Sequence, residues 1–121
     1  MEVRGRRWRD YRTELGRRPV RDFMVALPAQ HRDVVRAVMR LVIVEGLGAA
    51  RHLHGEIYEV RAAVDDAQYR ILFAAEGHRD QILLALEAYT KKTRKTPPDR
   101  IALAERRLAD WRRRSLAQYR H

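Results

Sequence analysis

The stretch EIYEVRAAVDDAQYRILFAAEGHRDQILLALEAYT, residues 56–90, decides the fold. Its side chains alternate with the period of an extended chain. Tyr58, Val60, Ala62 and Val64 fall on one side, and Ile57, Glu59, Arg61 and Ala63 on the other. DDAQ is a turn. In YRILFAAE, Tyr69, Ile71 and Phe73 then face one way and Arg70, Leu72 and Ala74 the other. EGHRD is a second turn. QILLALEAY is apolar on both faces, the pattern of a central strand covered from both sides. Such short turns predict three strands in an antiparallel meander.

Upstream of these strands the period lengthens. VRGRRWRDYR, residues 3–12, alternates weakly and reads as a first strand, broken at Gly16. PVRDFMVAL reads as a short helix with Pro19 in its first turn and Val20, Phe23, Met24 and Leu27 on one face. Pro28 restarts the chain. Val34, Val35, Val38, Leu41 and Val42 mark a longer helix that ends near Glu45, before Gly46 and Gly48. The two helices form a hairpin. Downstream, Thr96 is a capping residue, Pro97 suits the first helical position and Asp99 the first turn. Ile101, Ala104, Leu108 and Trp111 form the buried stripe of the last helix. The expected fold is α+β: a small antiparallel sheet with an N-terminal helical hairpin and a C-terminal helix. Residues 1–121 read as one domain, without repeats or a linker.

Composition narrows the function. Apolar residues make up 45%, too many for a disordered polycation. The absence of Cys excludes thiol chemistry and fits a reducing compartment. No apolar run is long enough to span a membrane, and MEVRGRRWRD lacks the apolar core of a signal peptide. A cytoplasmic protein with no membrane partner is expected. Lys and Arg number 26 against 16 acids, a net charge of +10, so a polyanion such as nucleic acid is the leading partner.

HExxH, a P-loop, GxSxG and metal-spaced histidines are all missing, so neither metal nor cofactor is expected. A helix-turn-helix over residues 19–46 is disfavoured, because its second helix presents core residues. The basic residues of the sheet carry more. Arg61 and Arg70 lie in adjacent strands. YTKKTRKTPPD, residues 89–99, packs Lys91, Lys92, Arg94 and Lys95 into five positions, and its three lysines are the only ones in the chain. His54 precedes the first of the three strands. Cations converging on one sheet face or its rim suit a phosphodiester backbone. The competing reading is that Arg61 pairs with Glu59 or Glu87 and only solubilises the sheet. His31 reads as solvated on a polar helix face, His52 as solvated, His78 as part of a turn and His121 as terminal. Arg112, Arg113 and Arg114 read as a solvated helix end.

The segments GEIYEVR, QYRILF and YTKKTRKTPPDRIALAERRLAD resemble the phage-derived Gp49-like branch of the RelE/HigB toxin superfamily. GRRPVRDFMVALP upstream is similar to the same branch, and the likeness runs from Arg12 to Trp111. KKT-x-KTP followed by a helix is its most specific element. The resemblance implies a RelE-like sheet with helices on one side and basic active residues on the open face. It implies the toxin of a type II toxin–antitoxin pair, an endoribonuclease cleaving mRNA on the ribosome. Its partners would be mRNA, the ribosome and a cognate antitoxin of helix-turn-helix type. Carried over by position, the catalytic candidates are Arg61, Arg70, Lys91 and Lys92, with His54 as general base. Arg94 and Lys95 are the RNA-binding candidates. The competing functions are a non-catalytic RNA binder and an inactive relative retained for antitoxin binding.

Overall fold

A computed structural model describes residues 5–92 and 94–119, with side chains to residue 117. The elements run β1 (Arg7–Asp10), α1 (Pro19–Val25), α2 (Ala29–Glu45), β2 (Arg51–His54), β3 (Ile57–Val64), β4 (Ala67–Glu76), β5 (Ile82–Thr90) and α3 (Pro98–Tyr119). Short 3-10 turns at Gly46–Ala49 and His78–Asp80 join α2 to β2 and β4 to β5. The five strands form one sheet in the order β1-β5-β4-β3-β2. Within it β2, β3, β4 and β5 pair antiparallel, as the meander requires.

Two strands depart from expectation. β1 pairs with β5 in parallel, so the sheet is mixed. The chain leaves β1, crosses through α1 and α2, and reaches β5 only after β4, a connection long enough to reverse its approach. Val3 and Arg4, included in the expected first strand, lie outside the described residues. β2 was not expected as a strand. RHLH has no clean apolar alternation, and its pairing comes from the backbone of β3 through Arg51 opposite Glu59.

Both faces of the sheet are covered, which corrects the expectation of helices on one side. On one face, Val60, Ala62, Tyr69, Ile71, Phe73, Leu83 and Ala85 pack against Val20 of α1 and Val35, Met39 and Val42 of α2. On the other, Ile57, Leu72, Ala74, Leu84 and Leu86 pack against Ala104 and Leu108 of α3, flanked by Ile101 and Trp111. The physical reason lies in the strands themselves. That second face is apolar over much of its area and is stable only when removed from water. A bulge in β5 shifts the register between Leu72 and Phe73 and resets the alternation. Leu84 and Leu86 before it, and Tyr89 after it, therefore all join the α3 side. The α2 stripe is also rotated slightly: Met39 is buried in it, while Leu41 is half exposed.

Polar contacts hold the layers together. The Trp8 indole N–H donates to the Met39 carbonyl at 2.8 Å and its ring meets the Phe73 ring edge-on at 4.8 Å, joining β1 to α2 across the sheet. His31 is not solvated. Its ring bridges the Tyr69 hydroxyl at 2.7 Å and the Asp65 carboxylate at 3.1 Å. Nor are Arg112 and Arg114 a solvated helix end. Arg112 grips Glu76 at 2.6 Å and Glu56 at 2.8 Å. Arg114 holds Asp110 at 2.8 Å and donates to the Arg12 carbonyl. His121 lies outside the described residues.

Two expected outcomes follow from this packing. Phe73→Ala should destabilise the fold by about 3–5 kcal/mol in urea unfolding, because it opens a cavity between Trp8 and Tyr58; a loss under about 1 kcal/mol would contradict the packing described. Asp110 gives the second. Hydrogen bonds from Arg114 and Tyr11 hold its carboxyl below the usual carboxylate range. A carboxyl depressed in the folded state stabilises above its unfolded pKa, about 3.9, and loses that contribution as pH falls through its folded value. The stability gap between wild type and Asp110→Asn should be present at neutral pH and narrow below about pH 4. A gap unchanged from neutral pH to about pH 3 would refute the assignment.

Candidate active site

The α3 helix covers only part of its sheet face. Along β3 the residues on that face run Ile57, Glu59, Arg61. Ile57 lies under α3, whereas Arg61 reaches past it. Arg61 and Arg70 stand directly opposite each other on β3 and β4, and Arg70 is opposite Tyr89 on β5. Two like charges across a strand pair repel. Glu59 resolves the conflict. Its carboxylate is fully buried and accepts from Arg61 Nε at 2.8 Å and from the Thr96 hydroxyl at 2.5 Å. Arg70 Nε lies 3.8 Å from the same carboxylate. Arg51, opposite Glu59 on β2, adds a further exposed cation to this row and has no ion pair among the described residues.

The two arginines differ in access. Arg61 leaves 42% of its side chain exposed. Arg70 is buried, donating to the Tyr69 carbonyl at 3.1 Å and to Gln68 Oε1 at 3.2 Å. Burial lowers its guanidinium below the usual arginine range; Glu59 opposes this and Arg61 adds to it. The group stays charged at any working pH.

Lys91 follows β5 directly. Its N–H donates to the Gln68 carbonyl at 2.7 Å, which extends the β4–β5 ladder by one residue and fixes where the side chain leaves. Its ammonium is shifted below the ordinary lysine value, first by partial desolvation and then by Arg70 and Arg61. Lys92, Arg94 and Lys95 are exposed on the connection between β5 and α3. His54 is not brought to this cluster. It lies at the end of β2 beside Glu105 of α3, with Nδ1 3.4 Å from Oε2. Glu87, the other expected partner of Arg61, instead pairs with Arg100 at 2.8 Å and Arg107 at 3.3 Å from α3. The Arg100 guanidinium lies over the Tyr89 ring, 4.8 Å from its centre.

Thr96 was expected to cap α3. Its hydroxyl goes to Glu59 instead, and Pro98, not Pro97, opens the helix. Arg51 and Thr96 are therefore the residues that sequence reasoning missed as parts of the site. Glu59 was read as a partner of Arg61, and that pair forms, but its burial and its link to Thr96 were not expected.

A family model for phage-derived Gp49-like proteins (DUF891) matches residues 22–109. The chain belongs to this family. The probable endoribonuclease HigB1 of Mycobacterium tuberculosis, in strains CDC 1551 / Oshkosh and ATCC 25618 / H37Rv, is 30% identical over 109 residues. That match covers 88% of this chain and 85% of the relative. The chain is thus a relative of the RelE/HigB toxins. The whole basic row, from Arg51 to Arg100, falls inside the matched region.

Glu59 is the pivot of the row, so removing its charge should be costly. Glu59→Gln should lower stability by about 3–5 kcal/mol, because it leaves Arg70 buried without a counter-charge. Equilibrium denaturation measures it, and a change within about 0.5 kcal/mol would show that the carboxylate does not hold the arginines.

Proposed function

We propose that this chain is the toxin of a type II toxin–antitoxin pair and an endoribonuclease that cleaves mRNA on the ribosome. The observation that carries the reading is Arg61 opposite Arg70, anchored by buried Glu59, with the lowered ammonium of Lys91 beside them. The family and the name of the M. tuberculosis relative point the same way.

RNA supplies its own nucleophile. The 2′-oxygen attacks the adjacent phosphorus, the bond from phosphorus to the 5′-oxygen breaks, and a 2′,3′-cyclic phosphate and a 5′-hydroxyl result. The protein must hold the phosphate, stabilise the added charge of the phosphorane and protonate the leaving oxygen. Arg61 and Arg51 reach solvent and hold the non-bridging oxygens through charge-assisted hydrogen bonds. Arg70, below the surface, adds its field and fixes Arg61 by sharing Glu59. Lys91 is the general acid: lowering an ammonium toward working pH makes it a better proton donor. Lys92 stands next to it on the exposed connection. Arg94 and Lys95 steer the strand.

The base is the weak part of the set. Glu59 is buried and engaged, and His54 lies beside Glu105. We therefore infer slow cleavage of free RNA and a large gain when the ribosome aligns the message. Guanidinium and ammonium groups supply the charge stabilisation, so the step is metal-independent, and a chelator should leave it unchanged. The burial of Arg70 favours a second reading, a relative that binds RNA or its antitoxin without chemistry.

Single-turnover cleavage of ribosome-bound mRNA, with RNA affinity measured alongside, separates the two. Lys91→Ala should slow cleavage by about 10²–10⁴-fold, the usual contribution of a general acid, and change RNA affinity little. Arg94→Ala should mainly weaken binding and flatten its log–log salt slope by about 0.7. Intact message with wild-type protein, in the presence or absence of chelator, would leave only the non-catalytic reading. Equal, parallel losses of rate and affinity in both variants would reduce the row to an electrostatic patch.

A further inference from the structure

On the sheet face opposite Glu59 and Arg61, a groove of about 480 Å³ runs between β1, α1 and α2. Its floor is apolar: Trp8, Val20, Met24, Met39 and Ala85. Val25 at its wall is 54% exposed, a large apolar side chain left in water. Its rim is almost entirely cationic, with Arg9, Arg18, Arg21, Arg36 and Arg40 against a single acid, Asp10.

The rim charges are unequally matched within the chain. Arg18 holds Asp10 through two hydrogen bonds, at 2.8 and 2.5 Å. Arg21 has only a 3.9 Å contact with exposed Asp22. Arg9, Arg36 and Arg40 have no ion pair among the described residues. Arg36 and Arg40 are one turn apart on α2 and repel each other. An apolar floor inside a rim where three of five arginines have no ion pair among the described residues is complementary to one kind of surface.

We propose that this groove takes an acidic amphipathic helix of a partner protein, which under the toxin reading above is the antitoxin. An apolar stripe at i, i+3, i+4 spacing fills the floor, and carboxylates beside the stripe meet the arginines. Met24 and Met39 adapt to the side chains that enter, since unbranched thioether chains repack at little cost. A nucleic acid fits less well. It would satisfy the arginines, but the aliphatic floor offers phosphates nothing, and the Trp8 ring is already packed on Phe73 with its N–H given to Met39. The groove and the basic row lie on opposite faces of the sheet, so an occupied groove leaves Arg61 and Lys91 open.

The probe is a labelled designed peptide of about 18 residues, a helix with a leucine stripe flanked by glutamates, titrated by fluorescence anisotropy. It should bind at least about tenfold more tightly than the same residues shuffled to erase the stripe. Val25→Asp should weaken it about tenfold, and so should the double variant Arg36→Glu, Arg40→Glu, with mRNA cleavage unchanged in both. All three sites are exposed, and circular dichroism confirms that the variants fold. Equal binding of the shuffled peptide would reduce the groove to plain charge and overturn the proposal. So would single-stranded RNA that competes for the groove and loses affinity in Val25→Asp, or a self-associated chain that the peptide dissociates. Peptide binding without mRNA cleavage by wild type would sink the nuclease reading alone.

Discussion

The carboxylate of Glu59 sits where three demands meet. A buried carboxylate without partners is costly, and two arginines opposite each other in a sheet repel. Placed together with Thr96, they stabilise each other, and the arrangement has consequences beyond itself. Arg61 is held by its Nε and keeps 42% of its side chain exposed. Arg70 is tolerated below the surface. Thr96, two residues before α3, is tied to the sheet, which fixes where the helix begins and hence which strand residues it covers. The basic face and the second apolar core are thus set by one side chain.

That side chain also marks a boundary within a single strand. On the α3 side, β3 presents Ile57 to the helix, Glu59 beneath its start and Arg61 beyond it. The strand changes from packing surface to cationic surface over five residues without leaving the sheet. On β5 the bulge opposite Leu72 and Phe73 makes a similar transition. Leu86 packs on α3 before it, while Glu87 after it takes Arg100 and Arg107 from the same helix. A regular β5 would have turned either the leucines or Glu87 and Tyr89 to the opposite face.

The meander, the helical hairpin and the last helix were legible because each rests on local periodicity, and β3 and β4 show theirs without interruption. Parallel β1 and short β2 were not. Their pairing depends on where the chain returns in space, and four residues such as RWRD or RHLH carry too little pattern to fix it. Arg61, Arg70 and Lys91 were readable as candidates because charge inside an otherwise apolar strand is anomalous. Glu59 was seen only as a neutraliser of Arg61, since burial is a property of the packed sheet and of α3 above it. The same limit explains Arg112 and Arg114. In sequence they are a run of like charge, whereas in space Glu56 and Glu76 are brought to Arg112 from the sheet side; only the Arg114–Asp110 pair, one helical turn apart, is local.

Net charge is therefore a poor guide to which faces of this molecule are open to a partner. Arg100, Arg107, Arg112 and Arg114 together bind α3 to the sheet or to its own acids, and their charge is matched internally. The informative cations are those with no ion pair among the described residues. Arg51 and the half-exposed Lys91 mark one sheet face, and Arg9, Arg36 and Arg40 mark the other. What lies between the cations distinguishes the two faces. On the first it is a buried carboxylate and a hydroxyl, which fix a guanidinium in place. On the second it is Met, Val and Trp, which require an apolar occupant. A partner bound to the second face would neutralise part of the +10 charge without touching the first. The arrangement of Arg61 and Lys91 would be the same in such a complex as in the free chain, because the sheet lies between the two faces.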